Sequence, residues 1–334
     1  MLTSFYCTPE GTLKQNLDED AMRTAVRSGQ GLLWVDLSKP TPDETFILDD
    51  VFAFHPLTIE DCQHVSQFPK LDEFANYLFL VFLAPNPSFK PGATQAEGGN
   101  GNGEDPVREV DLYLGRNYVV TYGIAALPFV QGIQDRAKRD PKRFLGRGAT
   151  FLVHDILDAT VDQFFEMVGK FQAEAEEAED KLQEPGTEEL VARVLALKRR
   201  VLALRRQMSD HRETLQRLIR GNHPVVPPEA LPYFRDILDH ISKIEDDLDV
   251  CRDTIDMARE ASLTLADVRI NQAMKVLTVV FTLSLPLAVM TSWFGMNFKY
   301  LPLAEHEYGA YIYTGLMLAV CAAMWYWMRR QKWM

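Results

Sequence analysis

Charge disappears from the chain twice near its end. Residues 276–298 and 308–328 carry no charged side chain, and each run is about twenty residues long. At about 1.5 Å of rise per residue such a run crosses the ~30 Å hydrocarbon core of a bilayer, so both read as transmembrane helices. Residues 299–307 alone join them, which makes a hairpin. Upstream, short apolar runs alternate with polar stretches. Residues 31–37, followed by Pro40, Pro42 and Asp43-Glu44, predict a strand leading into a capped helix, and another helix starts near His55-Pro56-Leu57-Thr58. Residues 77–83 predict a buried strand, and residues 107–122 two strands around Gly115-Arg116-Asn117. Between them the composition turns to glycine and asparagine, notably over 98–103, so 85–106 reads as a flexible loop.

From there the pattern is helical. One helix covers 151–183 and stops at Glu184-Pro185-Gly186, and a second covers 187–219 with Thr187 as its cap. Three prolines within 221–228 break the chain before a third helix that begins near Pro232. No Pro or Gly follows until Pro286 and Gly295, so this helix runs into the first span over roughly 65 residues, about 100 Å. The resulting organisation is an α/β domain over 1–145, paired helices over 146–222 and a stalk helix over 223–275. A first span over 276–298, a connection over 299–307, a second span over 308–328 and a basic tail over 329–334 complete it.

The two spans differ. Thr278, Thr282, Ser284, Pro286, Thr291, Ser292 and Asn297 punctuate the first, whereas the second is aliphatic and aromatic, with Tyr311, Tyr313, Trp325, Tyr326 and Trp327 near its ends. Polar groups inside a bilayer need partners or water, which assigns the first span to a protein interior or pore and the second to lipid. Arg269 and Lys275 precede the first span, and Arg329, Arg330 and Lys332 follow the second, while the connection sets one lysine against Glu305 and Glu307. Positive charge stays inside, so both termini are expected in the cytoplasm and the short loop outside.

Composition narrows the functional classes. With 334 residues, a net charge of -12 and 25% charged residues, most of the chain is water-soluble and acidic. That argues against nucleic acid as a partner and suits cations. The four cysteines, Cys7, Cys62, Cys251 and Cys321, are scattered, which indicates neither disulfides nor a thiolate zinc site. No cleavable signal peptide is visible at the start, no phosphate-binding glycine loop appears, and no nucleophile–base spacing points to an enzyme or to a bound cofactor.

Two faces of the long helix carry the candidate chemistry. Asp239, Asp246, Asp249, Asp253, Asp256, Glu260 and Asp267 recur at spacings of three, four and seven, which makes one acidic stripe. It is either a solvated face or a vestibule that concentrates divalent cations, which would relieve the repulsion between like charges. Further along, Asn271, Met274, Thr278, Phe281, Leu285, Ala288 and Ser292 share a face that is apolar with sparse hydroxyls. Such a face serves helix packing or a hydrophobic constriction, and one hairpin cannot enclose a pore without a symmetric oligomer.

Gly295-Met296-Asn297, which ends the first span just before a second one, resembles the signature of the CorA family of divalent-cation channels. Trp34-Val35-Asp36-Leu37, residues 55–61 and 69–74, residues 233–240 and Met274-Lys275-Val276-Leu277-Thr278 agree with that family, so the resemblance spans about residue 31 to the end. It implies a funnel-shaped homopentamer in the cell inner membrane, with cytoplasmic α/β domains, a stalk that continues into a pore-lining span, and an outer lipid-facing helix. It also implies that a ring of Asn297 side chains forms the selectivity site together with Gly295 and Met296. The ion that the resemblance implies is magnesium, with cobalt or nickel as companions, and its expected driving force is the membrane potential. For regulation the resemblance assigns an intracellular metal to Asp236. The segment after strand 77–83 offers no acidic partner, leaving Asp253, Asp256 and Glu260 to substitute. The Glu305-His306-Glu307 cluster resembles instead the loops of the zinc-transporting ZntB branch, coupled to a proton gradient, and imidazole suits zinc. A non-conducting sensor of the same architecture is the third reading. The other histidines, His240 among them, read as structural.

Overall fold

The computed structural model describes residues 1–64, 68–86, 107–125, 127–181, 188–296 and 307–331. Its contacts divide it into two units, Met1–Asp256 and Met257–Met334. In the first, seven strands form one sheet: β1 (Leu2–Cys7), β2 (Leu13–Gln15), β3 (Leu32–Ser38), β4 (Lys70–Glu73), β5 (Tyr77–Pro85), β6 (Val107–Gly115) and β7 (Tyr118–Gly123). Their order is β2-β1-β3-β7-β6-β5-β4, with β3 and β7 parallel and the other neighbours antiparallel.

Helices α1 (Glu19–Ser28), α2 (Pro42–Thr45), α3 (Ile47–Asp50) and α4 (Pro56–Gln63) fall between the strands, and α5 (Pro128–Arg139), α6 (Pro141–Phe144), α7 (Ala149–Lys181) and α8 (Glu188–Arg220) follow them. Helices α1, α2, α4 and α6 each start where a side chain caps them. Thr41 and Glu44 close a capping box on α2, and the His55 ring accepts a bond from the Leu57 amide ahead of Pro56 in α4. Asp18 caps α1, which ends at Gly29 with φ 64°, the left-handed conformation that glycine adopts without strain.

The sheet is covered on both faces, which is why β3 and β5 read as continuous apolar runs rather than alternating ones. Leu78, Leu80 and Phe82 of β5 join Trp34, Leu112 and Leu114 in a core with Leu152, Leu157 and Phe164 of α7. Tyr77, Phe79 and Val81 point the other way, into a second core with Phe54, Cys62, Tyr113 and the α1 residues Met22 and Ala25. The hairpin around Gly115 forms as its spacing predicts, and a methyl at Gly115 would sit 2.2 Å from the Tyr118 ring. Residues 98–103, expected as loop, lie outside the described residues, and β5 itself runs through Pro85.

Helix α9 (Leu231–Phe294) is 64 residues long with Pro286 inside it, as the absence of breakers over that stretch predicts. Helix α10 (Gly309–Arg330) follows. Both contain stretches long and apolar enough to cross a membrane, and almost no residue of those stretches is buried in the single chain.

Candidate functional site

The face expected to line a pore is bare in one chain. Met274, Phe281 and Leu285 are 59%, 63% and 65% exposed, and Asn271, Thr278, Ala288 and Ser292 are exposed with them. Thr282, Leu283, Pro286, Leu287 and Met290, elsewhere around the same helix, are partly buried. A helix in this state needs further surfaces to cover it. Its hydroxyls are oriented by the helix itself: Thr278 Oγ1 donates to the Met274 carbonyl at 2.8 Å, and Thr291 Oγ1 to the Leu287 carbonyl at 2.8 Å. Their protons are thereby occupied, so what Thr278 offers outward is an acceptor oxygen, the polarity a hydrated cation's surroundings require.

At the end of α9 the Gly295 amide donates to the Thr291 carbonyl at 3.1 Å and the Met296 amide to the Trp293 carbonyl at 3.4 Å. A Cβ on Gly295 would lie 3.3 Å from the Thr291 oxygen, closer than side chains usually come, so the signature glycine permits this tight finish. Met296 is 46% exposed. Asn297, Glu305 and His306 lie outside the described residues, and Glu307 is exposed.

The acidic stripe meets basic side chains from its own chain. Arg205 of α8 donates two bonds to Asp249, at 2.6 and 3.0 Å, and holds that carboxyl below the usual range. Lys198 of α8 pairs with Asp256, Arg252 with Asp253, and Arg212 of α8 with Glu245 at 3.1 Å. Within the stripe, α8 thus pairs with Asp249 and Asp256, α9's own Arg252 pairs with Asp253, and Glu245 lies beside the stripe. Asp236, Asp239, Asp246, Glu260 and Asp267 remain exposed.

A different cluster brings three possible metal ligands together. Asp158 and Asp162, one turn apart on α7, and His240 of α9 present ligand atoms that all lie within 4.8 Å of one another. His240 Nδ1 is 3.7 Å from Asp158, too far for a hydrogen bond, and this buried nitrogen has no hydrogen-bond partner among the described residues. Burial, then the charge of Asp162, raises the Asp158 carboxyl above its ordinary value, while His154 and His240 act against the rise. Two carboxylates and an imidazole suit a first-row divalent ion better than magnesium, which prefers oxygen. His240 read as structural because its partners are about eighty positions away; the pair of aspartates four apart on α7 was the available signal.

A covered α/β sheet, a long helix that ends in an uncharged span, and a second span define a membrane protein with a large water-soluble domain. The chain belongs to the CorA-like Mg2+ transporter protein family, whose sequence profile matches residues 29–330. It is 32% identical over 300 residues to YfjQ of Bacillus subtilis, whose name assigns it to metal ion transport; the match covers 90% of this chain and 89% of that one. It is 28% identical to the cobalt/magnesium transport protein CorA of Thermotoga maritima, over 85% of this chain and 78% of the relative. The CorA magnesium transporter of Methanocaldococcus jannaschii has the same fold, with a TM-score of 0.82 at 22% identity and coverage of 100% and 99%.

Proposed function

We propose that this chain forms a homo-oligomeric channel that carries divalent cations, magnesium foremost, across the cell membrane. The observation that carries the reading is the exposed face of α9 from Asn271 to Ser292, which runs onto Gly295-Met296 and has no cover in a single chain. Around a symmetry axis, identical faces supply that cover and enclose a path. The subunit number is five, and both termini are cytoplasmic. Asn297 amide oxygens then hold the hydrated ion through its waters, weakly enough to release it. An inside-negative potential of 100 mV supplies about 4.6 kcal/mol for a doubly charged ion, from about 2.3 per elementary charge. The names of the two CorA relatives, which include cobalt and magnesium, support the choice of ion.

The test is magnesium and zinc influx into liposomes containing the purified full chain, with and without a pH gradient. Magnesium flux that ignores the gradient and falls at least tenfold in Asn297→Ala is expected. Zinc flux that grows with the gradient would transfer the assignment to proton-coupled zinc transport through the Glu305-His306-Glu307 loop, and no flux of either ion would make the protein a sensor.

Regulation by intracellular metal belongs to the same proposal. Asp236 is the residue that family resemblance implies, Asp253, Asp256 and Glu260 of the acidic stripe substitute for its missing partner, and the geometry adds Asp158, Asp162 and His240. An ion held by that cluster at a hundredfold excess over its Kd stabilises the fold by about 2.7 kcal/mol. Cobalt or nickel should therefore raise the melting temperature of the full chain, chelator should reverse the rise, and His240→Ala should abolish most of it. An equal rise in wild type and His240→Ala would remove the cluster from consideration.

A further inference from the structure

α10 closes on Trp325-Tyr326-Trp327-Met328-Arg329-Arg330, where aromatic rings give way directly to cations. Three consecutive helical residues point about 100° apart, so the rings gird α10 rather than line one side of it. Trp325, Tyr326 and Trp327 are 45%, 65% and 56% exposed, and Met328, between them and the cations, is buried. Large amphipathic rings at the end of a span mark the headgroup level of a bilayer.

A long cationic side chain at such a place ordinarily extends away from the span into water. Arg329 does otherwise. Its guanidinium lies over the Trp325 ring, 5.4 Å from the centroid, one turn back toward the span. The ring thereby holds the cation at headgroup depth. Among the described residues no carboxylate pairs with Arg329 or Arg330, and the sequence has no acidic residue after Glu307. Glu307 precedes the far end of α10, about 33 Å away along the helix. The carbonyls that end α10 supply only a partial negative charge.

We propose that Arg329, stacked on Trp325, and the adjacent Arg330 bind the phosphate of an anionic phospholipid in the leaflet at the C-terminal end of α10. The indole occupies one face of the guanidinium and leaves its N–H edge free, and a phosphodiester accepts two bonds in that plane. A zwitterionic lipid carries the same phosphate but adds an ammonium, which two neighbouring arginines repel, so a net negative headgroup is selected. Arg330 supplies charge to the same lipid layer without a stacked ring to fix it. The site needs only the span and the headgroups, so it stands apart from what the protein conducts.

Spin-labelled phosphatidylglycerol and phosphatidylcholine, in liposomes containing the purified full chain, report which lipid the protein surface retains, with no flux involved. Phosphatidylglycerol should be retained about fivefold over phosphatidylcholine, the effect of roughly one well-placed cation at an anionic surface. The preference should persist in about 0.5 M salt, which screens charges that are not in contact. It should drop to about twofold or less in Arg329→Gln and, with both charges kept, in Trp325→Leu. Equal retention of the two lipids by the wild type, or an unchanged preference in Arg329→Gln, would overturn the proposal. A preference that survives Trp325→Leu and vanishes in salt would reduce the site to diffuse attraction, and displacement by millimolar inorganic phosphate would reassign it to a free anion; either result overturns the stacked lipid site. Should Trp325→Leu fail to insert, Arg329→Gln and the salt series still decide.

Discussion

Between pH 6.5 and pH 4 the α/β domain is expected to lose about 3 kcal/mol of stability through His211 alone, 2.5 pH units at about 1.36 kcal/mol each. His211 of α8 is fully buried, against Phe82 and Phe164, and its Nε2 accepts the Leu83 amide at 2.9 Å. The pairing of β4 with β5 ends at Val81, so no β4 residue stands opposite Leu83, and the imidazole serves its amide instead. Burial in these surroundings lowers the His211 pKa from 6.5 to about 3. A depressed histidine contributes stability that is intact above the unfolded value and is lost as pH falls toward the folded one. Urea unfolding at pH 7 and pH 4 measures the effect. His211→Gln keeps an acceptor for Leu83 but does not titrate, so its acid loss should be smaller by about 3 kcal/mol. His211→Phe strands the amide and should cost about 1–3 kcal/mol at both pH values. Equal acid losses in wild type and His211→Gln would show that other groups govern this limb.

Placing an amide in the bare face of α9 should open a leak. If Phe281 and Leu285 of several chains meet around an axis, they form a constriction that excludes water when the channel is shut. Leu285→Asn puts a ring of hydrogen-bonding groups there, and water that can enter the constriction can accompany an ion. Influx into liposomes held at inhibitory internal magnesium should rise at least tenfold, a barrier change of about 1.4 kcal/mol. Phe281→Asn should act in the same direction. Unchanged influx, with a weakened oligomer on size exclusion, would mean that this face only packs helix against helix.

Both expectations draw on parts of the chain that differ in how plainly they can be read. Helices α7, α8 and α9 and the two spans follow from length and from breakers such as Pro185 and Pro227. Strands β3 and β5 follow from apolar runs that only a sheet covered on both faces explains. β1, β2, α1, β4 and α5 were not anticipated. Three of them have six residues or fewer, and α1 showed its Asp18 cap and Gly29 stop without an apolar run to frame them. The exposed face of α9 was legible because one helix carries all of it. Asp158, Asp162 and His240 were not, since α7 has to be aligned with α9 before the imidazole meets the carboxylates. The pairing of Asp249 with Arg205 and of Asp256 with Lys198 was hidden in the same way: each helix shows its charges, and only their alignment shows the partners.

The two borders of the sheet constrain how copies of this chain can meet. β2 has three residues and β4 four, and between them they carry Lys14, Lys70, Asp72 and Glu73. Short, charged margins give an incoming strand few amides to grip and like charges to avoid. Growth of the sheet from one copy into the next is thereby discouraged. The proposed association would then fall to the helices, whose faces can close a ring and stop, where strand addition would continue into a fibre.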